Sequence, residues 1–222
     1  MKVGILGTGP VGRALGHGFA TLGYETMIGA REAGNAKAAE WAAAHAGSGR
    51  AGTFADAAAF GDVIVVSTLG TVLPEVAAAA GPQNFAGKVV IDTTNPLDMS
   101  RGFPPGLAIV GHDSGGETLQ RALPEARVVK AFNTVNNGLM FRPRFEGGPP
   151  AMMIAGNDAD AKVTVSRILA EFGWPALDLG TLVSARWLEA MCIAWVMVGI
   201  TTGKWDHAFK VVNAASDTPS EA

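Results

Sequence analysis

Gly7, Gly9 and Gly12 stand in G-x-G-x-x-G spacing within Gly7-Thr-Gly-Pro-Val-Gly12. The apolar run Val3–Leu6 leads into them, and apolar residues at Val11, Leu15, Phe19 and Leu22 follow at helical spacing. In a strand–turn–helix of this kind the first glycine permits a tight turn. The second lets the backbone approach a pyrophosphate, and the third lets helix and strand pack closely. The pyrophosphate would rest on unpaired N–H groups at the helix N-terminus, where the dipole favours an anion. The plainer alternative is a structural strand–turn–helix, but the position of the triplet argues for a dinucleotide site. Its candidate contacts are Gly7, Thr8, Gly9, Pro10, Val11 and Gly12.

The end of the next strand, Tyr24–Gly29, bears on which dinucleotide is bound. In an NAD site an acidic side chain usually ends this strand and takes both ribose hydroxyls. Here the segment is Ile28-Gly-Ala-Arg31, with no carboxylate at the tip. Arg31, with Ala30 before it, would offer a planar fork of donors to a 2′-phosphate, which favours NADP(H). Glu32 is the competing feature, because a small loop shift would bring it to the ribose. Lys37 falls in the first turn of the following helix, where the dipole disfavours a cation. It is either a second phosphate contact or a solvated surface lysine.

Ligands of open α/β sheets lie across the carboxyl ends of the strands, where the strand order reverses. Three segments should arrive there: Ser67-Thr68-Leu69-Gly70, Thr93-Thr-Asn95-Pro96-Leu97 and Asn133-Thr134. Asn95-Pro96 is either a stiff corner, open to a cis bond, that walls a nicotinamide pocket, or an ordinary turn. These segments supply hydroxyls, amides and backbone, with no histidine–carboxylate pair and no tyrosine–lysine couple. Tyr24 is the only tyrosine and sits near the wrong end of its strand. Reduction of a carbonyl normally needs a proton donor as well as a hydride source. Hydride exchange between two planar cofactors needs mainly alignment and exclusion of water. The residues suit the second task, which requires no side-chain acid or base. Lys130, inside an apolar strand, is the candidate that would argue otherwise. It either points into the cleft as a proton donor or lays its stem along the sheet edge with its ammonium exposed.

The elements that must hold these residues read as alternating strands and helices, which implies a Rossmann-type, doubly wound, mostly parallel sheet with helices on both faces. Asn35 caps an alanine-rich helix to about His45, with Gly47 at its stop. A third strand lies near Thr53, before a short helix at Asp56–Phe60. Asp62–Ser67 and Lys88–Asp92 are continuous apolar runs of the kind buried on both faces. Ser114-Gly-Gly-Glu117 is a capping-box pattern opening a helix to about Leu123. A sixth strand is expected over Arg127–Asn133, a loop or boundary over Gly138–Pro150, and a strand over Ala151–Ala155. A helix with the stripe Val165, Ile168, Leu169 and Phe172 ends at Gly173. A last strand at Ala176–Leu179 and a long helix from Val183 to about Thr202 complete the pattern. The organisation expected is a dinucleotide-binding domain over 1–180, a C-terminal helical extension over 181–213 and a disordered tail over 214–222.

Composition sets the class. The 222 residues suffice for one large α/β domain, 48% are hydrophobic, and the net charge is −3. No basic surplus suggests nucleic acid or an anionic membrane surface. The single cysteine, Cys192, excludes an internal disulfide framework and suits a reducing, cytoplasmic setting. Its apolar surroundings favour a buried thiol over a nucleophile. The four histidines lack metal-ligand spacing, so no metal site is assigned. The first apolar run is too short for a secretory signal. Met191–Ile200 is densely apolar but below the roughly 18 residues of a membrane span, so it reads as a core helix or a subunit interface.

On these residues the chain resembles the family of coenzyme F-420-dependent NADP reductases and the related cytosolic oxidoreductase domains of membrane metalloreductases. The resemblance runs through nearly the whole length. It rests on GTGPVG at Gly7–Gly12, IGAR at Ile28–Arg31 and DTTNPL at Asp92–Leu97, and on two more specific segments. These are SGGETLQRALPEARVVKAFNTV at Ser114–Val135 and SARWLEA at Ser184–Ala190. The resemblance implies hydride exchange between NADP(H) and a 5-deazaflavin (coenzyme F-420) or a flavin such as FMN or FAD, stacked near Asn95, Pro96 and Asn133. It also implies a homodimer, for which the Met191–Ile200 helix could serve. Family members frequently carry Ser before the arginine, so Ala30 removes one hydroxyl contact to the phosphate. No transmembrane region follows, so the metalloreductase role is not carried over. Two rival readings remain: a reductase of a small imine or hydroxy acid, which should need a proton-donating lysine or histidine, and a non-catalytic NADPH-sensing module.

Overall fold

The computed structural model describes residues 1–213, and the expected tail at 214–222 lies outside the described residues. Uninterrupted β-branched runs make strands that are buried on both faces. Two such strands, β4 (Val63–Val66) and β5 (Val89–Asp92), lie in the middle of the sheet and are buried throughout. Preceding them are β1 (Lys2–Leu6), β2 (Glu25–Ala30) and β3 (Gly49–Thr53). Beyond them come a two-residue-per-strand hairpin, β6 (Leu97–Asp98) and β7 (Gly106–Leu107), then β8 (Arg127–Lys130), β9 (Met152–Gly156) and β10 (Ala176–Asp178). The eight-stranded sheet has the order β10-β9-β8-β5-β4-β1-β2-β3. It is parallel except where β9 meets β8.

Period-two alternation sorts the strand side chains into two cores. Val63 and Val65 join one cluster and Ile64 and Val66 the other. The first cluster is covered by α1 (Pro10–Thr21), α2 (Ala36–Ala44) and α6 (Ala159–Phe172) through Leu15, Phe19, Trp41, Ile168 and Phe172. The second is covered by α3 (Phe54–Phe60), α4 (Leu73–Ala80) and α5 (Gly115–Ala122) through Phe54, Val76 and Leu119. The last helix, α7 (Ala185–Thr202), packs against α5 and places Leu188, Cys192 and Trp195 on its buried face. Strand order reverses between β1 and β4, so the loops leaving their carboxyl ends diverge and open a crevice.

Several boundaries differ from those read in the sequence. β8 ends at Lys130, short of Asn133, because Phe132 adopts φ +62° and turns the chain out of the sheet. The hairpin β6–β7 is too short to show a period. Gly138–Pro150 is irregular, as expected, yet Phe141 and Phe145 pack on the first core and the Met140 carbonyl accepts from the Trp174 indole. Ser114 caps α5, but the Glu117 carboxylate turns to Arg186 and the Ser114 hydroxyl, and the Ser114 amide is taken by Asp113. The apolar run of the last helix is also longer than Met191–Ile200. Leu182–Thr202 is long and apolar enough, by length and composition, to cross a membrane. Its charged positions Arg186 and Glu189 are both paired within the protein, with Glu117 and Lys130.

Candidate functional site

At the end of β1 the chain must turn sharply while lying flush against the neighbouring loop. Gly7 does so at φ +128°, and a Cβ there would lie 2.5 Å from the Ser67 carbonyl oxygen. Only glycine tolerates that conformation and that approach. A Cβ on Gly12 would meet the Gly7 carbonyl oxygen at 2.2 Å, so its absence sets the contact of α1 with the turn. Gly9 differs, because no protein atom lies within 4 Å of where its Cβ would be. It is the N-cap of α1, with no side-chain cap and no acidic residue in the first turn. The turn is therefore open at Gly9 and no side chain caps the first-turn amides, which fits a diphosphate.

This turn forms one side of a cavity of about 490 Å³. Gly7 to Val11, Ala30, Arg31 and Asn35 supply its polar side, and Phe54, Leu69, Val72 and Val76 an apolar wall. Arg31 is exposed at this cavity and, among the described residues, has no ion-pair partner. Asn35 is committed to capping α2, accepting from the Ala38 amide at 3.1 Å. Glu32 and Lys37 are exposed and form no part of the wall.

A second cavity of about 350 Å³ shares Val11, Ser67, Thr68 and Leu69 with the first. Its other walls are Gly70, Thr71, Thr93, Thr94, Asn95, Leu97 and Met99. Asn95 is fixed on both sides. Its amide donates to the Asn133 carbonyl at 2.8 Å, and Asn133 donates back to the Asn95 side-chain oxygen at 2.9 Å. Asn133 also donates to the Leu188 carbonyl at 2.8 Å, tying the corner to α7. Asn133 therefore stands behind the wall, holding Asn95, and Pro96 is likewise buried off the cavity. The Asn95–Pro96 bond is trans, the described cis bond being Phe103–Pro104. The corner is held instead by the Leu97 amide donating to the Asn95 carbonyl at 2.9 Å.

Lys130 takes neither of the positions expected of it. Its side chain is fully buried, with Nζ 2.7 Å from Asp92, 2.7 Å from Glu189 and 2.8 Å from the Thr94 carbonyl oxygen. All three N–H donors are occupied inside the protein, so it is neither a cleft-facing proton donor nor a solvated surface group. Burial pulls its pKa down, but attraction to Asp92 and Glu189 outweighs that and leaves it above the ordinary lysine value. The neighbouring Cys192 thiol is pushed up to about 11 by burial, with Lys130 opposing and Glu189 adding.

The apolar wall residues Phe54, Val72, Val76 and Met99 escape a motif search, since they come from separate short elements. The one local sign is Phe54, which follows the tip of β3 directly. Together the cavities offer donors for an anion at one end and a narrow slot of hydroxyl, amide and apolar groups at the other. Among the described residues their walls contain no histidine, lysine or carboxylate.

Comparison with known proteins agrees with this architecture. Residues 2–96 match the profile of the family described as NADP oxidoreductase, coenzyme F-420-dependent. The chain is 30% identical to the rat (Rattus norvegicus) metalloreductase STEAP3, aligning over 86% of its own length but 36% of that protein. It thus spans about a third of that relative. It is 29% identical to the F-420-dependent NADP reductase of Methanothermobacter thermautotrophicus, over 96% of this chain and 95% of that one. The crystal structure of a candidate F-420-dependent NADP reductase from Arthrobacter sp. superposes with a TM-score of 0.91 at 39% identity. That match covers 96% of this chain and 100% of the other.

Proposed function

The chain belongs to the family of coenzyme F-420-dependent NADP oxidoreductases, and from that premise we propose that it exchanges hydride between NADP(H) and a deazaflavin, coenzyme F-420, or a flavin such as FMN or FAD. The observation that carries this reading is the pair of joined cavities. One has a helix N-terminus without a side-chain cap, and the walls of the other, among the described residues, carry no histidine, lysine or carboxylate.

In this reading the free amides at the start of α1 hold the diphosphate, and Arg31 pairs with the 2′-phosphate. Ala30 adds no hydroxyl there. Held there, NADPH would supply the hydride. Thr93, Thr94 and the doubly anchored Asn95 orient the ring that gives or receives it. Leu69 and Met99, exposed at 73% and 54%, lie where a second planar ring would cover them and exclude water. The imine or hydroxy-acid alternative would need a proton donor other than Lys130, which is committed to two carboxylates. The buried thiol of Cys192 supports a reducing, cytoplasmic setting.

Stopped-flow oxidation of NADPH by the purified protein, with coenzyme F-420, FMN and FAD as separate acceptors, tests the proposal. Fast oxidation by the deazaflavin alone is the expected result. Binding of NADPH without oxidation by any of the three would replace it with a sensing role.

A further inference from the structure

Behind the second cavity, Asp92 at the end of β5, Lys130 at the end of β8 and Glu189 on α7 form a closed group, with side chains at most 1% exposed. The cation has two anionic partners, and each carboxylate oxygen meets donors. Asp92 Oδ1 accepts from the Thr94 amide at 2.9 Å and the Thr94 hydroxyl at 2.8 Å, while Oδ2 accepts from Lys130. Glu189 Oε2 accepts from the Gly115 amide at 2.9 Å, and Oε1 from the Gly116 amide at 3.1 Å and from Lys130. Each oxygen of the two carboxyl groups thus has at least one hydrogen-bond donor within reach.

Two acids and one lysine give the group a formal charge of −1, partly offset by the N-terminus of α5 that holds Glu189. The adjacent Arg186–Glu117 pair is matched and adds no net charge. Burial of an ion costs several kcal/mol, so an unmatched one in a dry interior calls for a reason. Its position supplies one. Thr93 and Thr94 line the second cavity, Asp92 is the next residue in the chain, and both Asp92 and Lys130 bond to Thr94. The group thus touches the slot through Thr94, a residue of the slot's own wall.

We propose that Asp92, Lys130 and Glu189 are positioning residues that set the charge behind the nicotinamide slot, favouring the oxidised, cationic ring over the reduced, neutral one. The inference rests on the NADP(H) reading above. In the low-dielectric interior such a charge is weakly screened. Stabilising the oxidised form lowers the potential of the bound couple and makes bound NADPH a stronger hydride donor. The same contacts hold the Thr94 carbonyl and anchor α7, so a scaffold role alone would also weaken binding. The ratio of NADP⁺ to NADPH affinity separates the two effects.

The test is calorimetric binding of 2′,5′-ADP, NADP⁺ and NADPH to wild type, Glu189→Gln and Lys130→Met/Glu189→Gln. Glu189→Gln brings the group to zero net charge. It should weaken NADP⁺ relative to NADPH about tenfold while leaving 2′,5′-ADP, which cannot reach the second cavity, unchanged. The double variant returns to one net negative charge on Asp92, and its NADP⁺/NADPH ratio should return to the wild-type value. Equal losses for NADP⁺ and NADPH, or a double variant that keeps the ratio of Glu189→Gln, would reduce the group to a scaffold. Asp92→Asn replaces Glu189→Gln with the same expected ratio should the latter not fold. Wild-type protein that fails to bind 2′,5′-ADP would overturn the NADP(H) reading itself.

Discussion

Arg31 stands exposed at the rim of the first cavity, next to a buried alanine that offers no hydroxyl. In the NADP(H) reading it is, among the described residues, the charged side chain in the wall of the first cavity, Lys37 lying off that wall. Arg31→Ala should weaken NADPH by about 1.5–3 kcal/mol, the usual worth of a charge-assisted contact, and leave NADH nearly unchanged. Equal losses for the two cofactors, measured by calorimetry, would remove Arg31 as the discriminator. A second prediction concerns acid stability. Hydrogen bonds from Arg186 hold the Glu117 carboxyl below its ordinary value against the opposing effect of burial, with Ser114 assisting. A depressed carboxyl contributes stability that is present above its unfolded pKa and lost as pH falls through the folded one. Melting temperature followed from about pH 6 to about pH 3 should therefore fall less steeply in Glu117→Gln than in wild type. An identical pH slope would show that the pair contributes nothing to acid sensitivity. Arg31 is legible in the sequence because it directly follows a strand tip. The fate of Lys130 is not, because its partners Asp92 and Glu189 come from other elements.

Among the elements, the link between β4 and α4 sets the geometry of the second cavity. A Cβ on Gly70 would lie 2.4 Å from the carbonyl carbon and oxygen of Asn95, so this glycine lets the two loops meet. Gly70→Ala must displace the Asn95 corner, at a cost typical of overpacking, about 1–3 kcal/mol. The first cavity does not include Gly70, so 2′,5′-ADP binding should survive while hydride transfer slows. Loss of both together would mean that the two cavities do not act separately. The central strands announce themselves as unbroken apolar runs, and α2 and α5 by their caps. The hairpin β6–β7 and the early end of β8 do not, the first being too short for a period. The second depends on a positive φ at Phe132, which nothing in that residue type signals.

Over the whole molecule, α7 is the element left partly uncovered. Trp187, Ala190, Ala194 and Met197 follow at three- and four-residue spacing on the face opposite Glu189 and Cys192, and all four are exposed. In the homodimer implied by the family resemblance this stripe would pack against its copy. Trp187→Glu should then halve the mass measured by light scattering, and an unchanged mass would place any interface elsewhere. Sequence alone determined the glycine turn at Gly7–Gly12, the absence of a carboxylate at the tip of β2, the helix caps and the strand runs. Each of these depends on residues within a few positions of one another. Tertiary structure alone decided that Lys130 is an ion-paired, buried cation, that Asn133 stands behind Asn95, and which face of α7 stays bare. Burial and pairing depend on which distant elements meet, and no local spacing encodes that.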